Sequence, residues 1–336
     1  MTIYFRGGED FEYTPTSNST LTTTAGLFRA GYARCALQPG NTSNGLWTNK
    51  IPWNGGAGAS SFWFSSWVSA TNFNSSSGPV IMAFYDTGSV LRYYVITTGA
   101  TTFQVFKRTA AGVATSLGTF AYTMAANVLY KWDFQVVGAV AGTFNIYITQ
   151  NGASVLQVFS FSGDTTTDGA GQLIAYHAYG SGLTGQIAFS WSEGIAASTD
   201  TRQYGLVTLV PTANGNTHTF DTGSPAAANI NEVILNDATL DGSSVAGQID
   251  QYTIGTLPAG AWSILDIAVS ARMLTGSGPA HMDIGVRSGS TLADYWSPDI
   301  ALTAVFTIYQ YDWPTDPSTS AGWLALPVNI GLRSVT

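Results

Sequence analysis

The sequence predicts an all-β protein built from two successive antiparallel β-sandwiches, and three observations carry that prediction. Of 336 residues only 10% are charged, with four Glu and three Lys, the residues that normally clothe helix surfaces. Ser and Thr together number 74, Gly 37, and aromatic residues make up 13%, the composition of strands and tight turns. Apolar runs recur every ~8–14 residues between turn residues, and no helical period persists for even about ten. The same composition excludes a helical bundle, a coiled coil and a parallel α/β enzyme. A hydrophobic content of 45% excludes a disordered tail.

Taken in order, the chain opens with a strand over 3–5 and then the acidic stretch Glu9, Asp10 and Glu12. Loops rich in Ser, Thr and Asn cover 14–24 and 38–61, on either side of an expected strand over 27–37. Strand signals then become regular, over 62–68 and 80–85. A hairpin pairs 91–96 with 103–107, and further strands follow over 130–137 and 143–149. Asn151-Gly152 joins the last of these to 155–159, because Asn-Gly accepts the positive φ angles of a type I′ turn. Residues 123–127 predict one helical turn. A boundary falls near residue 200, dividing the chain into domains of 1–203 and 204–336. The second domain opens with a strand over 204–210, punctuated by Pro211 and Asn214-Gly215. It continues with strands over 249–253, 262–271, 282–287, 303–313 and 330–335. At ~130 residues it is large enough for a core of its own. No repeat of ~20–50 residues marks a solenoid or propeller.

Charge and cysteine content narrow the function. The net charge is −8 and Lys and Arg form no run, so a nucleic-acid partner is not expected. The first ten residues lack an apolar core, which predicts no secretory signal. No stretch reaches the ~18 apolar residues of a membrane span. Cys35 is the only cysteine and cannot form an internal disulfide, which suits folding in a reducing cytoplasm.

Local motifs for chemistry are scarce. A glycosidase needs two carboxylates ~5–9.5 Å apart, most simply supplied at i and i+2 of one strand. Glu9 and Glu12 are three apart, while Glu193 and Glu232 stand alone; all four read as solvated loop acids. A pair assembled from distant segments stays open. The histidines are His177, His218 and His281, and no G-x-S-x-G elbow occurs. His281 and Asp283 share a strand face and read as a surface pair. Cys35 reads as a packed small hydrophobe. Zinc lacks clustered Cys and His; Asp164 and Asp168, on the loop 163–169, could ligate calcium or simply stabilise their own turn. No phosphate loop and no cofactor motif is present, so no catalytic residue, metal ligand or cofactor is assigned and the chain is expected not to be an enzyme. Sugar faces stack on exposed aromatic rings beside amides. Trp47 and Trp53, in a loop with Asn44, Asn49 and Asn54, therefore make the candidate glycan platform, with Trp47, Trp53 and Asn54 as its residues. The same loop could equally pack on the sandwich or on a neighbouring subunit. Trp63, Trp67, Trp132, Trp262 and Trp296 lie in or beside strands and read as core.

Residues 62–202 resemble the concanavalin A-like (laminin G-like) jelly rolls of bacteriophage virion proteins. The matching pieces are Val80-Ile81-Met82-Ala83-Phe84-Tyr85-Asp86, the stretch 119–133, Ser192-Glu193-Gly194-Ile195-Ala196 and Asp200-Thr201-Arg202. The second domain is similar to the module that often follows in those proteins, through Val207-Thr208-Leu209-Val210-Pro211, Gly278-Pro279, Val286-Arg287-Ser288-Gly289, Asp316-Pro317 and Gly331-Leu332-Arg333-Ser334-Val335. The resemblance implies a concanavalin A-like jelly roll followed by a smaller antiparallel sandwich. It further implies a non-enzymatic tail or head component of a virion, made in the host cytoplasm, able to contact host-surface glycans. Its partners would be other virion proteins and copies of itself, a trimer being favoured, with no nucleic acid and no membrane insertion. The alternative is a carbohydrate-active enzyme or soluble lectin on the same scaffold.

Overall fold

A computed structural model describes the chain except residues 16–18, 40–44, 71–79, 110, 151–152, 168–172, 179–188, 222–225, 235 and 261. The Asn151-Gly152 turn and Asp168 therefore lie outside the described residues. The protein is all-β, and it divides into units of Met1–Thr208 and Leu209–Thr336, five residues beyond the boundary read from the sequence.

The first unit contains β1 (Ile3–Gly7), β2 (Tyr13–Pro15), β3 (Ser19–Thr22), β4 (Ala36–Pro39), β5 (Gly45–Asn49), β6 (Ser61–Ala70), β7 (Val80–Tyr85) and β8 (Leu91–Thr97). It continues through β9 (Thr102–Arg108), β10 (Ala114–Ala121), β11 (Tyr130–Val137), β12 (Gly142–Gln150), β13 (Leu156–Gly163), β14 (Leu173–Ala178) and β15 (Phe189–Ala197). An eight-stranded sheet runs β13-β12-β11-β6-β15-β4-β3, with β1 also paired to β15. A seven-stranded sheet runs β10-β9-β8-β7-β14-β5-β2. The strands of both sheets pair antiparallel, and their two-residue alternation sets one face of each toward the core. Between the sheets lies an aromatic core. Trp53 packs edge-on against Phe62 at 4.9 Å between ring centroids, and Phe84 meets Phe64 at 5.7 Å and Phe134 at 5.4 Å. Such edge-to-face contacts add ~0.5–1.5 kcal/mol each beyond the area they bury.

The second unit comprises β16 (Pro211–His218), a single helical turn α1 (Ala226–Asn229), β17 (Ile249–Ile254), β18 (Ile267–Met273), β19 (His281–Ser288), β20 (Ala293–Trp296), β21 (Ile300–Ala301), β22 (Thr307–Trp313) and β23 (Asn329–Val335). Its six-stranded sheet runs β16-β17-β23-β19-β20, with β21 on β19, while β18 and β22 form a separate two-stranded sheet. Val269, Met273, Ile284, Val286, Trp313 and Trp323 form the core of this smaller sandwich.

Several elements differ from the sequence reading. The predicted strand over 27–37 reduces to β4, because residues before it turn instead: Tyr32 and Ala33 both donate their N–H to the Arg29 carbonyl, with Gly31 at φ +81°. No strand covers 204–210. Pro211 and Asn214-Gly215, read as punctuation, lie inside β16, an edge strand whose first residue can be proline without losing a ladder bond. Gly215 is needed there, since a Cβ would sit 2.8 Å from the Gln251 backbone. Residues 123–127 form a turn without a helix.

Candidate functional site

The outer face of the eight-stranded sheet carries a buried polar network under the end of the first unit. Arg29 Nε donates to Glu193 Oε1 at 2.9 Å, its Nη2 bonds the second oxygen, and its guanidinium lies 3.6 Å from the centre of the Tyr32 ring and 4.3 Å from that of Trp67. Glu193 sits at φ +57°, where the register between β15 and β6 shifts. Burial pushes its carboxyl up and the Arg29 bonds oppose this. Lys131 donates its ammonium to the carbonyls of Thr201 (2.7 Å), Arg202 (3.0 Å) and Tyr204 (2.7 Å), mooring that segment onto β11. Burial lowers its pKa. Beside it, Asp133 is 0% exposed; Thr201 Oγ1 donates to its Oδ1 at 3.3 Å, whereas its Oδ2 has no partner. Burial pushes Asp133 up to about 6, against the pull of Lys131 3.6 Å away.

Three of the four glutamates, Glu9, Glu12 and Glu193, are buried and paired; Glu232 alone keeps the character of a loop acid. Glu9 accepts from Arg34 Nε at 2.9 Å, and Glu12 accepts from the Gly8 and Glu9 amides at 2.6 and 3.0 Å, both acids being buried. Glu232 binds the Asn236 amide and the Thr239 hydroxyl. His281 lies 2.7 Å from Asp299, and Asp283 instead accepts from Arg333, so the surface-pair reading of His281 with Asp283 gives way to two separate pairs. His177 lies on β14, whose side chains are outside the described residues. Cys35 is buried. Asp164 accepts from Lys107 at 2.8 Å and from Thr166, which hold its carboxyl below the usual range.

The predicted glycan platform does not form. Trp53 is 0% and Trp47 3% exposed, both belonging to the aromatic core, so neither ring offers a face to a sugar. Asn54 is exposed, but its amide donates back to the Gly58 carbonyl at 3.1 Å. Trp63 and Trp296, read as core, are only half-buried, and Trp262 is exposed. In β6, Phe62 and Phe64 point inward, so Trp63 between them must point outward, where it stacks on Tyr147 at 5.7 Å beneath Arg202.

Half-exposed rings gather instead on the outer face of the seven-stranded sheet. Tyr93 and Val95 of β8 and Phe103 and Val105 of β9 point into the core, which turns Tyr94, Gln104, Phe106 and Arg108 outward. Register sets Tyr94 directly opposite Phe106, and their rings stack at 4.9 Å with planes 7° apart. Ser116 lies opposite Phe106 on the next strand and accepts from Gln104 Nε2 at 2.9 Å. Tyr85 lies on neighbouring β7; burial raises the pKa of both Tyr85 and Tyr94, and the nearby Arg108 charge pulls each back. Arg108 Nε donates to the Gly112 carbonyl at 2.9 Å, and no carboxylate accepts from Arg108 among the described residues. One surface thus presents stacked rings, an amide, a hydroxyl and a guanidinium.

The second unit assembles a constellation from segments far apart in sequence. Asp250 and Tyr252, two apart on β17, share a face. Asp250 is buried; Oδ1 accepts the Thr219 and Phe220 amides at 2.7 Å each, and Oδ2 lies 2.6 Å from His218 Nδ1. The Tyr252 hydroxyl donates to Asp241 at 2.6 Å and stands 3.4 Å from Asp250. Burial, a hydrogen bond with Asp250 and that residue's charge push Asp241 up to about 7, and burial carries the Tyr252 phenol well above its ordinary value. Asp241 therefore holds its proton to a higher pH than an ordinary carboxylate does. Sequence spacing offered only the Asp250-x-Tyr252 step; His218 and Asp241 arrive through the fold.

No family model and no curated protein matches the chain. Several solved structures are similar to part of this chain. Among these are an endo-β-1,4-glucuronan lyase from Trichoderma reesei (14% identity, TM-score 0.44, 59% of this chain and 96% of that one) and lectin I-B4 from Griffonia simplicifolia (10%, 0.41, 58% and 99%). A third is a carbohydrate esterase from the Shiga toxin-encoding bacteriophage phi24B (14%, 0.33, 56% and 90%). The fold brings the carboxylates of Asp241 and Asp250 together with His218 from distant segments, so the expectation of a non-enzyme is withdrawn.

Proposed function

We propose that the first unit contacts carbohydrate, as a binding or a carbohydrate-active module, through the outer face of its seven-stranded sheet. The observation that carries this reading is the Tyr94–Phe106 stack flanked by Gln104, Ser116 and Arg108. Parallel rings supply the apolar surface that sugar C–H faces need, and the amide and hydroxyl supply orientation. Arg108, without a carboxylate partner among the described residues, favours an acidic sugar such as a uronate, to which a guanidinium donates in bidentate fashion. Affinity electrophoresis and calorimetry against uronate-containing and neutral polysaccharides test this. Tyr94→Ala should weaken binding at least tenfold, and Arg108→Ala should weaken it for acidic polymers alone. Binding that survives both substitutions, or that is absent from the native protein across the panel, refutes the assignment.

A virion setting, with other virion proteins and copies of this chain as partners and a trimer favoured, is a second proposal. It draws on the sequence resemblance and on large apolar side chains of the second unit that face solvent, notably Leu324 (99% exposed), Ile234 and Val305. Light scattering that finds only monomers, together with absence of the protein from purified particles, would overturn it.

A further inference from the structure

We propose that His218, Asp241 and Asp250 form a site for one divalent first-row transition cation, best matched by Zn²⁺, with the Tyr252 hydroxyl steadying Asp241. Each residue offers one ligand atom, and these atoms all lie within 4.8 Å of one another, close enough for small side-chain rotations to bring them onto zinc bonds of about 2.0–2.2 Å. Three separate segments deliver them: the end of β16, the loop before β17, and β17 itself. The floor is fixed independently of any ion, because two backbone amides hold Asp250 Oδ1 and leave Oδ2 turned toward His218. Burial grades from Asp250 at the bottom through half-buried Asp241 to exposed His218, so the constellation is open on one side.

Charge accounting argues separately for affinity toward a cation. The first unit holds nine Lys and Arg against nine Asp and Glu, so the second, with three against eleven, carries the whole net charge of −8. Those three cations are all arginines, and each is committed elsewhere: Arg272 to Asp237, Arg287 to Asp294, Arg333 to Asp283. None of the second unit's arginines therefore pairs with Asp241 or Asp250. Two neighbouring carboxylates, one of them fully buried, are costly without a counter-cation. Protons can relieve that cost, and so can a metal ion. Ligand chemistry selects among metals: one imidazole nitrogen with two carboxylates suits zinc, whereas calcium needs six to eight oxygens. Imidazole and carboxylate ligate a metal only in their deprotonated forms, so uptake should weaken as pH falls.

The test uses the tag-free full chain, stripped with a chelator and titrated with Zn²⁺ by calorimetry in two buffers of different ionisation enthalpy, with bound metal counted by elemental analysis. One Zn²⁺ per chain is expected, with proton release, affinity falling as pH drops from 7.5 to 6, and no displacement by a hundredfold excess of Ca²⁺. His218→Gln and Asp241→Asn should each weaken binding at least tenfold. Both leave the Asp250 anchors intact, and circular dichroism checks that the variants fold; His218, on the exposed side, is the safer of the two. Failure of the native chain to bind zinc, zinc retained by both folded variants, or ready displacement by Ca²⁺ would each overturn the proposal. None of these outcomes bears on carbohydrate binding by the first unit.

Discussion

Replacing Asp133 by Asn should make the first unit more stable above neutrality and leave it nearly unchanged in acid. Asp133 is fully buried, one oxygen has no partner, and Lys131 at 3.6 Å is spread over three backbone carbonyls. Burial therefore prevails and lifts its pKa to about 6, roughly two units above an unfolded aspartate. The folded state then binds its proton more tightly than the unfolded state does. The resulting stabilisation is fully present below about pH 4 and is lost as pH rises through 6. Two units correspond to about 3 kcal/mol, the amount by which this one residue should favour pH 4 over pH 8. Asparagine keeps an acceptor for the Thr201 hydroxyl and cannot ionise. Urea unfolding of native and Asp133→Asn chains, followed by calorimetry and tryptophan fluorescence at pH 4.5, 6 and 8, reads the difference directly. A variant gaining ~2–3 kcal/mol at pH 8 and little at pH 4.5 is expected. Equal destabilisation at all three pH values would refute the reasoning, because it would mean that the ionised carboxylate pairs productively with Lys131.

Trp53→Ala should cost ~3–5 kcal/mol through the cavity left among Phe62, Phe64 and Phe84, visible as a lower denaturation midpoint. A variant that kept its stability and lost only sugar binding would restore the tryptophan platform. Glu193→Ala should destabilise by ~3–5 kcal/mol, since it strands Arg29 half-buried without its carboxylate; Arg29→Met made with it should recover part of the loss in a double-mutant cycle. Gly215→Ala should lower the melting temperature of the second unit, because the added methyl meets the Gln251 backbone and the Asn329 amide; an unchanged melting temperature would mean that β16 is free to shift.

Much of the architecture was legible because alternation is a local property. Phe62-Trp63-Phe64 already dictates that Trp63 faces away from a core holding its neighbours; reading every strand tryptophan as core ignored that period. Polar edge strands were harder. Ala114–Ala121, with Thr115, Ser116, Gly118 and Thr119, has the composition of a loop and is a strand only because β9 offers it a partner. The converse failure is the 27–35 segment, apolar enough for a strand but folded by Arg29 reaching Glu193 far along the chain. The same distance hides the chemistry. Asp250 and Tyr252 are two apart, but His218, Asp241 and the carboxylates of Glu193 and Asp133 acquire meaning only once strands separated by tens of residues lie side by side.

The grip of Lys131 on the carbonyls of Thr201, Arg202 and Tyr204 has a mechanical consequence. β15 is the last strand of the jelly roll, and without a mooring a pull on the chain beyond it would peel that strand away one ladder bond at a time. The ammonium diverts such a pull into β11, which is laddered on both sides by β6 and β12, so load is shared across the middle of the sheet. Rupture then requires three charge-assisted bonds to part together before any strand unzips. Stretched by a tether on its second unit, the native chain should resist a higher force than a Lys131→Met chain of equal thermodynamic stability.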